Sequence, residues 1–235
     1  MTTPPQPLPL HLLNRIVAGD TLPEPLPAEP FTLFKEWFDE AAASRNVPNP
    51  NAMTLATVEP DGSPSARIVL CRGISVADGW IEFFTNYKGG KGRALEANPV
   101  ASAVFHFDHL DRQVRISGSV TRSPAESSDQ YFASRAWESR LSAWASQQSH
   151  PLASRAELVE RIPLVMKELG ITAADIEAQG NATPIPRPRH WGGFRILAAK
   201  CELWVGGPGR LHDRAVWTRP APFSADGWSV TRLNP

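Results

Sequence analysis

Runs of strand-forming residues stand on both sides of a helical stretch, and this order restricts the fold more than any other feature of the chain. Ala52–Val58 is apolar and β-branched, Asp61-Gly62 is a tight-turn pair, and Arg67–Cys71 returns, so residues 52–72 read as a hairpin. Trp80–Thr85, Val100–Phe107 and Arg112–Thr121 add three strands, the last two joined by a polar turn through Asp108 and His109. A short helix around Arg93–Ala97 separates the first two and stops at Asn98-Pro99. From Pro124 the pattern becomes helical, with one or two helices through Ala136–Ser146. A further helix runs from Ser154 to about Leu169, with Glu157 placed to complete a capping box. A Pro- and Gly-rich linker covers Gly170–Arg189, and strands return at Trp191–Lys200, Glu202–Val205, Arg210–Thr218 and Trp228–Leu233. β and α units do not alternate, and no G-x-G-x-x-G follows a strand, so a Rossmann sheet is not expected. The pattern predicts an α+β, mainly β fold: an antiparallel barrel or sandwich with helices packed on it.

The start of the chain is different. Residues 1–26 are dense in proline and read as an extended arm, which leaves 27–235 as one domain with a helical insertion at about 124–170. Phe31, Phe34, Trp37, Phe38 and Ala41 recur at helical spacing and predict a helix from Phe31 to about Arg45, stopped by the segment from Asn46 to Asn51.

Composition narrows the function. The 24 Lys and Arg balance 24 Asp and Glu, which argues against a dedicated nucleic-acid binder. No apolar run approaches a membrane span, and Met1–Leu10 lacks the basic and apolar regions of a secretory signal. Cys71 and Cys201 read as reduced thiols, so a cytoplasmic protein is expected and the sequon at Asn181 is disregarded.

Three groups of residues point to anions. Asn86–Arg93 lies between a strand and a helix; its glycines admit close backbone approach, and Lys88, Lys91 and Arg93 bring charge, but it is not a Walker A loop. Arg210, His212 and Arg214 would share one face of a strand. Tyr131, Arg135 and Ser139 would share one stripe of a continuous helix. Each is also compatible with a solvated surface. His106-x-x-His109 lacks the partners of a metal site, so none is expected, and the absence of G-x-S-x-G disfavours a hydrolase. Trp204, beside Gly206-Gly207, is the tryptophan that stands out as a ligand contact.

Together these stretches resemble the pyridoxamine 5′-phosphate oxidase family from about Pro27 to Pro235. The resemblance rests on Asn51-Ala52-Met53, Arg67-Ile68-Val69-Leu70, Phe84-Thr85-Asn86, Arg112-Gln113-Val114, Tyr131–Arg135, Gln148-Ser149, Trp191–Phe194, Trp204, Arg210–Arg214 and the terminal Arg232–Pro235, all in the same order. It implies an FMN-binding split β-barrel homodimer with FMN at the subunit interface. The FMN contacts it implies are Arg67, Ile68, Val69, Leu70, Cys71, Arg72, Phe84, Thr85, Lys91, Gln113, Gln148, Ser149, Trp204 and Arg214. The implied substrate contacts are Arg72, Tyr131, Arg135, Ser139, Arg210, Leu211 and His212, with Arg210 and His212 acting at the reacting carbon. The implied reaction oxidises pyridoxine or pyridoxamine 5′-phosphate to pyridoxal 5′-phosphate with dioxygen, giving hydrogen peroxide, and ammonia from the amine. Position 72 is Arg where the family usually has Lys, Gly90 replaces a frequent Arg, Phe84 replaces a common Tyr, and the segment before Pro27 does not match the family's lid. Two other readings stand beside this one: an FMN-dependent oxidase of another small molecule such as a phenazine precursor, and a non-catalytic module that binds flavin or pyridoxal phosphate.

Overall fold

The computed structural model describes residues 8–44, 47–222 and 227–235. Nine strands form one antiparallel sheet: β1 (Ala52–Val58), β2 (Pro64–Leu70), β3 (Gly73–Ser75), β4 (Trp80–Asn86), β5 (Val100–Phe107), β6 (Arg112–Arg122), β7 (Trp191–Val205), β8 (Asp213–Thr218) and β9 (Ser229–Leu233). Their order is β2-β1-β5-β6-β7-β4-β3, with β8 on β7 and β9 on β8. The expected α+β architecture, mainly β with packed helices, is the one observed.

β7 organises the sheet. Its first half pairs with β4 (Trp191 against Asn86 to Leu197 against Trp80), and its last residues pair with β8 (Lys200 against Thr218 to Val205 against Asp213). β6 lies along the opposite edge of β7 for most of its length. The sheet therefore divides on one side of β7. Gly118 sits at a register shift between β6 and β7, where a Cβ would lie 1.9 Å from the Leu197 carbonyl oxygen, so a larger residue there would push the strands apart.

Alternation along the strands separates two cores. Leu55, Ile81, Phe83, Phe105, Val114, Ile116, Leu203 and Trp217 fill the inside of the barrel. Helix α2 (Phe31–Ala43) closes it with Phe31, Phe34, Trp37 and Ala41, all buried. Burial of one such phenylalanine contributes about 1.5–3 kcal/mol. Helices α4 (Ala125–Ala133), α5 (Trp137–Ala145), α6 (Arg155–Leu169) and α7 (Ala173–Gln179) share a second, smaller core with Trp191 on the outer face of the sheet.

Several expectations need correction. Residues 10–17, assigned to an extended arm, form helix α1 (Leu10–Val17) with none of its residues buried. The chain after it lies against the sheet: Leu22 is buried, its N–H donates to Asp213 Oδ2 at 2.9 Å, and the Pro27 carbonyl accepts from Trp217 Nε1 at 2.8 Å. Residues 1–7 of the arm lie outside the described residues, as do Arg45 and Asn46, where the end of α2 was placed; α2 is complete at Ala43. The linker at 170–189 contains α7, started by a full capping box between Thr172 and Asp175. At α6 the box is only half closed: Ser154 Oγ accepts from the Glu157 N–H at 3.1 Å, but the Glu157 carboxylate takes the Ala153 N–H. The two strands expected at 191–205 are a single strand, because β6 pairs with β7 across the supposed break at Cys201. Helix α3 (Gly90–Ala97) starts three residues earlier than expected.

Candidate active site

At the start of β7, four elements bring cations together. Hairpin pairing sets Arg67 opposite Leu55. Its Nη1 donates to Thr57 Oγ1 and its Nη2 to Ser65 Oγ, both at 2.6 Å, and its ion pair with Glu59 is long, at 3.5 Å. Lys91, in the first turn of α3, donates to Gln148 Oε1 at 3.0 Å and Thr85 Oγ1 at 3.3 Å. The Thr85 hydroxyl donates to the same Gln148 oxygen at 3.1 Å. Burial and, after it, the charge of Arg67 hold the Lys91 ammonium below its usual pKa. The N-cap of α3, Gly89, supplies no side-chain cap, and a Cβ there would lie 2.5 Å from Gln148 Oε1. A larger residue would push Gln148 out of the cradle. Ser149 follows with φ of 65° and packs against Gly90.

Beside this cradle stands an aromatic wall. Phe84 stacks on Tyr131 at 4.2 Å and on Trp191 at 5.6 Å between ring centroids. Arg72 lies 5.4 Å over the Tyr131 ring and Arg135 4.8 Å over that of Trp191. Arg135 Nη1 is buried without a hydrogen-bond partner among the described residues. Burial lowers the Arg135 pKa, and Arg72 and Arg140 add to the effect against an opposing contribution from Tyr131. A cleft of about 290 Å³ joins wall and cradle, lined by Asn86, Arg135, Ser139, Ser142, Gln148 and Trp191 among others.

Tyr131, Arg135 and Ser139 do not share one continuous helix. α4 ends at Ala133 and α5 begins at Trp137. The Ser134 hydroxyl donates back to the Tyr131 carbonyl at 2.8 Å, and Asn181 Oδ1 accepts the Trp137 N–H at 3.0 Å, so one helix is closed and the next opened within four residues. Arg135 and Ser139 still line the same cleft, and Tyr131 reaches it through Phe84 and Trp191.

Of the remaining residues expected on β2, Ile68 is exposed, Val69 and Leu70 are half-buried, and Cys71 is buried with its thiol pushed up to about 12 by burial.

The far end of β7 carries a second group. Gln113, Trp204 and Arg214 are direct neighbours across β6, β7 and β8, forming one rung of the sheet. The His212 ring lies 4.6 Å from that of Trp204, and its Nδ1 accepts the Gly207 N–H at 3.1 Å. Arg210, His212 and Arg214 do not share a strand face as expected, because β8 begins only at Asp213. Pro208–Arg210 forms a 3-10 turn with Gly209 and Arg210 at φ of 63° and 64°, and the Leu211 N–H returns to the Pro208 carbonyl at 3.1 Å. Arg210 and Leu211 are exposed. Trp204 lies twelve residues beyond Gly192, the partner of Thr85, or about 40 Å of extended strand before any bend. No hydrogen bond or ring contact among the described residues links the two groups. One chain therefore carries two separate groups of candidate residues.

Comparison with known proteins matches this geometry to a family. Residues 39–168 match the family described as pyridoxamine 5′-phosphate oxidase, and residues 191–235 match a region described as the pyridoxine 5′-phosphate oxidase C-terminal dimerisation region. The chain belongs to the pyridoxamine 5′-phosphate oxidase family. It is 48% identical over 207 residues to the pyridoxine/pyridoxamine 5′-phosphate oxidase of Burkholderia multivorans, covering 88% of this chain and 89% of the relative. The corresponding protein of Burkholderia cenocepacia is 46% identical over the same coverage. Among solved structures, PhzG from Burkholderia lata in complex with tetrahydrophenazine-1-carboxylic acid superimposes with a TM-score of 0.75 at 29% identity, over 89% of this chain and 94% of that one. An FMN-binding protein related to pyridoxamine 5′-phosphate oxidase, from Nostoc punctiforme, shares the fold with a TM-score of 0.64 at 17% identity, over 88% and 97% of the two chains.

In this oxidase-family chain the matched dimerisation region contains all of β7, β8 and β9, and hence the whole far-end group except Gln113. Two residues near these groups carry no individual signal in the sequence. Trp191, part of the Trp191–Phe194 motif, forms the floor under Arg135. Glu202 shares a strand face with Trp204, but nothing in the sequence shows the two arginines that meet it.

Proposed function

We propose that this chain is a flavin-dependent oxidase that binds FMN and converts pyridoxine 5′-phosphate and pyridoxamine 5′-phosphate to pyridoxal 5′-phosphate. The observation that carries the reading is the cleft at the start of β7: Arg135 lines it, Lys91 is bonded to its Gln148, Arg72 lies over Tyr131 of its aromatic wall, and none of the three forms an ion pair among the described residues, although Glu138 also lines the cleft. Cations held without an ion pair would be compensated by anions, and the phosphates of the cofactor and of the substrate would supply them. The residues fit FMN on one test: a Cβ at position 89 would lie 2.5 Å from Gln148 Oε1, so glycine there leaves the cradle around Lys91 and Gln148 intact. The orphaned buried Arg135 Nη1 is a separate donor, on the substrate side.

Arg67, Thr85, Lys91, Gln148 and Ser149 would hold the cofactor phosphate, close to the uncapped N–H groups that open α3. Arg72, Tyr131, Arg135 and Ser139 would hold the substrate phosphate and so fix the pyridine ring. FMN, when bound, supplies a two-electron acceptor that dioxygen can reoxidise, with hydrogen peroxide as the product. The chain's own work is positioning: substrate held in a near-attack arrangement gains up to roughly 7–11 kcal/mol over free encounter. Gln113, Trp204, Arg210, Leu211, His212 and Arg214 would complete the site from a second copy of the chain, which makes the active unit a homodimer. Arg210 and His212 would then cover the substrate and polarise the substituent on its reacting carbon. Among the described residues no helix is long and apolar enough to cross a membrane; a cytoplasmic location belongs to the same proposal.

The test is peroxide formation by the FMN-loaded protein. Pyridoxine 5′-phosphate should give peroxide and unphosphorylated pyridoxine should not. A second reading follows from the solved relative that holds tetrahydrophenazine-1-carboxylic acid, because a carboxylate would also satisfy Arg72 and Arg135. Turnover of that compound without turnover of the pyridoxine phosphate would favour it. FMN binding with no peroxide from either would leave a non-catalytic flavin module.

A further inference from the structure

We infer that Glu202 is a positioning residue of the cofactor site, acting by clamping Arg214 at the angle from which it would meet the flavin. This rests on the reading of Arg214 as a cofactor contact. Glu202 is 3% exposed, on the same face of β7 as Trp204 and diagonal to Arg214 on β8. Its Oε1 accepts from Arg214 Nη2 at 2.6 Å and Nε at 3.2 Å. Its Oε2 accepts from Arg115 Nη1, on the β6 residue directly opposite, at 3.2 Å. The Asn234 carbonyl takes Arg214 Nη1 at 3.2 Å. A guanidinium has five N–H donors. Three are used by this clamp, and one on each terminal nitrogen remains for a ligand. The planar fork is thus fixed along one edge and free along the other, beside Trp204 and Gln113 on the adjoining strands. Without the carboxylate, Arg214 would sample several rotamers, and the entropy of fixing one would fall on ligand binding.

The experiment is titration of the apo-protein with FMN, followed by the loss of free-flavin fluorescence, in wild type, Glu202→Gln, Arg214→Ala and the double variant. Glu202→Gln should raise the FMN Kd about tenfold, Arg214→Ala at least as much, and the double variant no more than Arg214→Ala alone. A merely structural role would instead carry the Glu202→Gln loss unchanged into the Arg214→Ala background, and that result overturns the inference. An unchanged Kd for Glu202→Gln overturns it too. If Arg214→Ala alone leaves the Kd unchanged, the inference falls while flavin binding by the wild type stands. If wild type does not bind FMN, the functional reading itself fails. Should Glu202→Gln not fold, Glu202→Asp, which keeps the charge but shortens the reach, takes its place in the same cycle with the same outcomes.

Discussion

The two ends of β7 treat positive charge in opposite ways. At its start, half-buried Lys91 and Arg135 and exposed Arg72 stand against amide, hydroxyl and aromatic groups without an ion pair among the described residues, and Arg67 is the exception there, with a long contact to Glu59. At its far end, Arg214 and Arg115 share buried Glu202, and Arg232 of β9 is tied to Asp213 and Glu24. An unpaired cation that is partly buried costs folding energy and gains it back only when an anion arrives. A paired arginine is already compensated, so its geometry is set before any ligand binds. On the proposed function, the first end would capture anions and the second would hold donors at fixed angles. Arg210 is the exception at the far end: it sits on an exposed turn without an ion pair among the described residues.

The largest effect that would test this contrast is expected from Arg135→Met. It should lower kcat/KM for pyridoxine 5′-phosphate about a hundredfold, the worth of a charge-assisted phosphate contact. The same change should leave the folding stability of the apo-protein equal or higher, because it removes a buried donor with no partner. Steady-state kinetics and urea unfolding of one preparation read both. A clear loss of stability would show that Arg135 is compensated after all. Glu202→Ala should do the reverse to the apo-protein. It leaves Arg214 and Arg115 without their counter-charge and should cost about 2 kcal/mol by urea unfolding, below the range for fully buried pairs because both arginines are partly exposed. Equal stability of Glu202→Ala and wild type would erase the distinction between the two ends.

Which parts of this contrast could be read from the sequence follows from how local each signal is. The hairpin at Asp61-Gly62, the buried face of α2 and the strand Val100–Phe107 depend on residues near one another in the chain, and these were legible. β3 is three residues long and carries no periodic signal. β7 read as two strands, Trp191–Lys200 and Glu202–Val205, split at Cys201; that residue is paired with Ile116 of β6 and Trp217 of β8, partners 85 and 16 residues away that a local reading does not see. The sequence leaves one or two helices open after Pro124, and the break between α4 and α5 is not decided locally because one of its causes, Asn181, lies 44 residues beyond the N–H it accepts. At the site, the glycine-lysine loop announced itself through composition. The turn at Pro208-Gly209 was also written in the sequence, but strand alternation was extended across it. Glu202 could not be ranked from sequence, because a lone carboxylate in a strand says nothing of the two arginines that neighbouring strands bring to it.

The smallest expected effect is a pH dependence, and it bears on the first end alone. Lys91 has a folded-state pKa below its usual 10.5, with burial the leading cause and the Arg67 charge the second. Below the folded pKa, both folded and unfolded chains carry the proton, and the folded apo-protein bears the full cost of the charge. Between the folded pKa and 10.5 the unfolded chain binds more protons, so stability rises with pH across that interval and then levels off. Other groups titrate there as well, so the quantity to measure is the difference between wild type and Lys91→Met, by urea unfolding at about pH 8 and about pH 10. Apo wild type should gain on the variant as pH rises. A bound phosphate group would favour the charged ammonium and lift its pKa, so FMN should flatten or reverse the gain. The same gain with and without FMN would mean that Lys91 does not meet the anion, and the contrast between the ends would then rest on Arg72 and Arg135 alone.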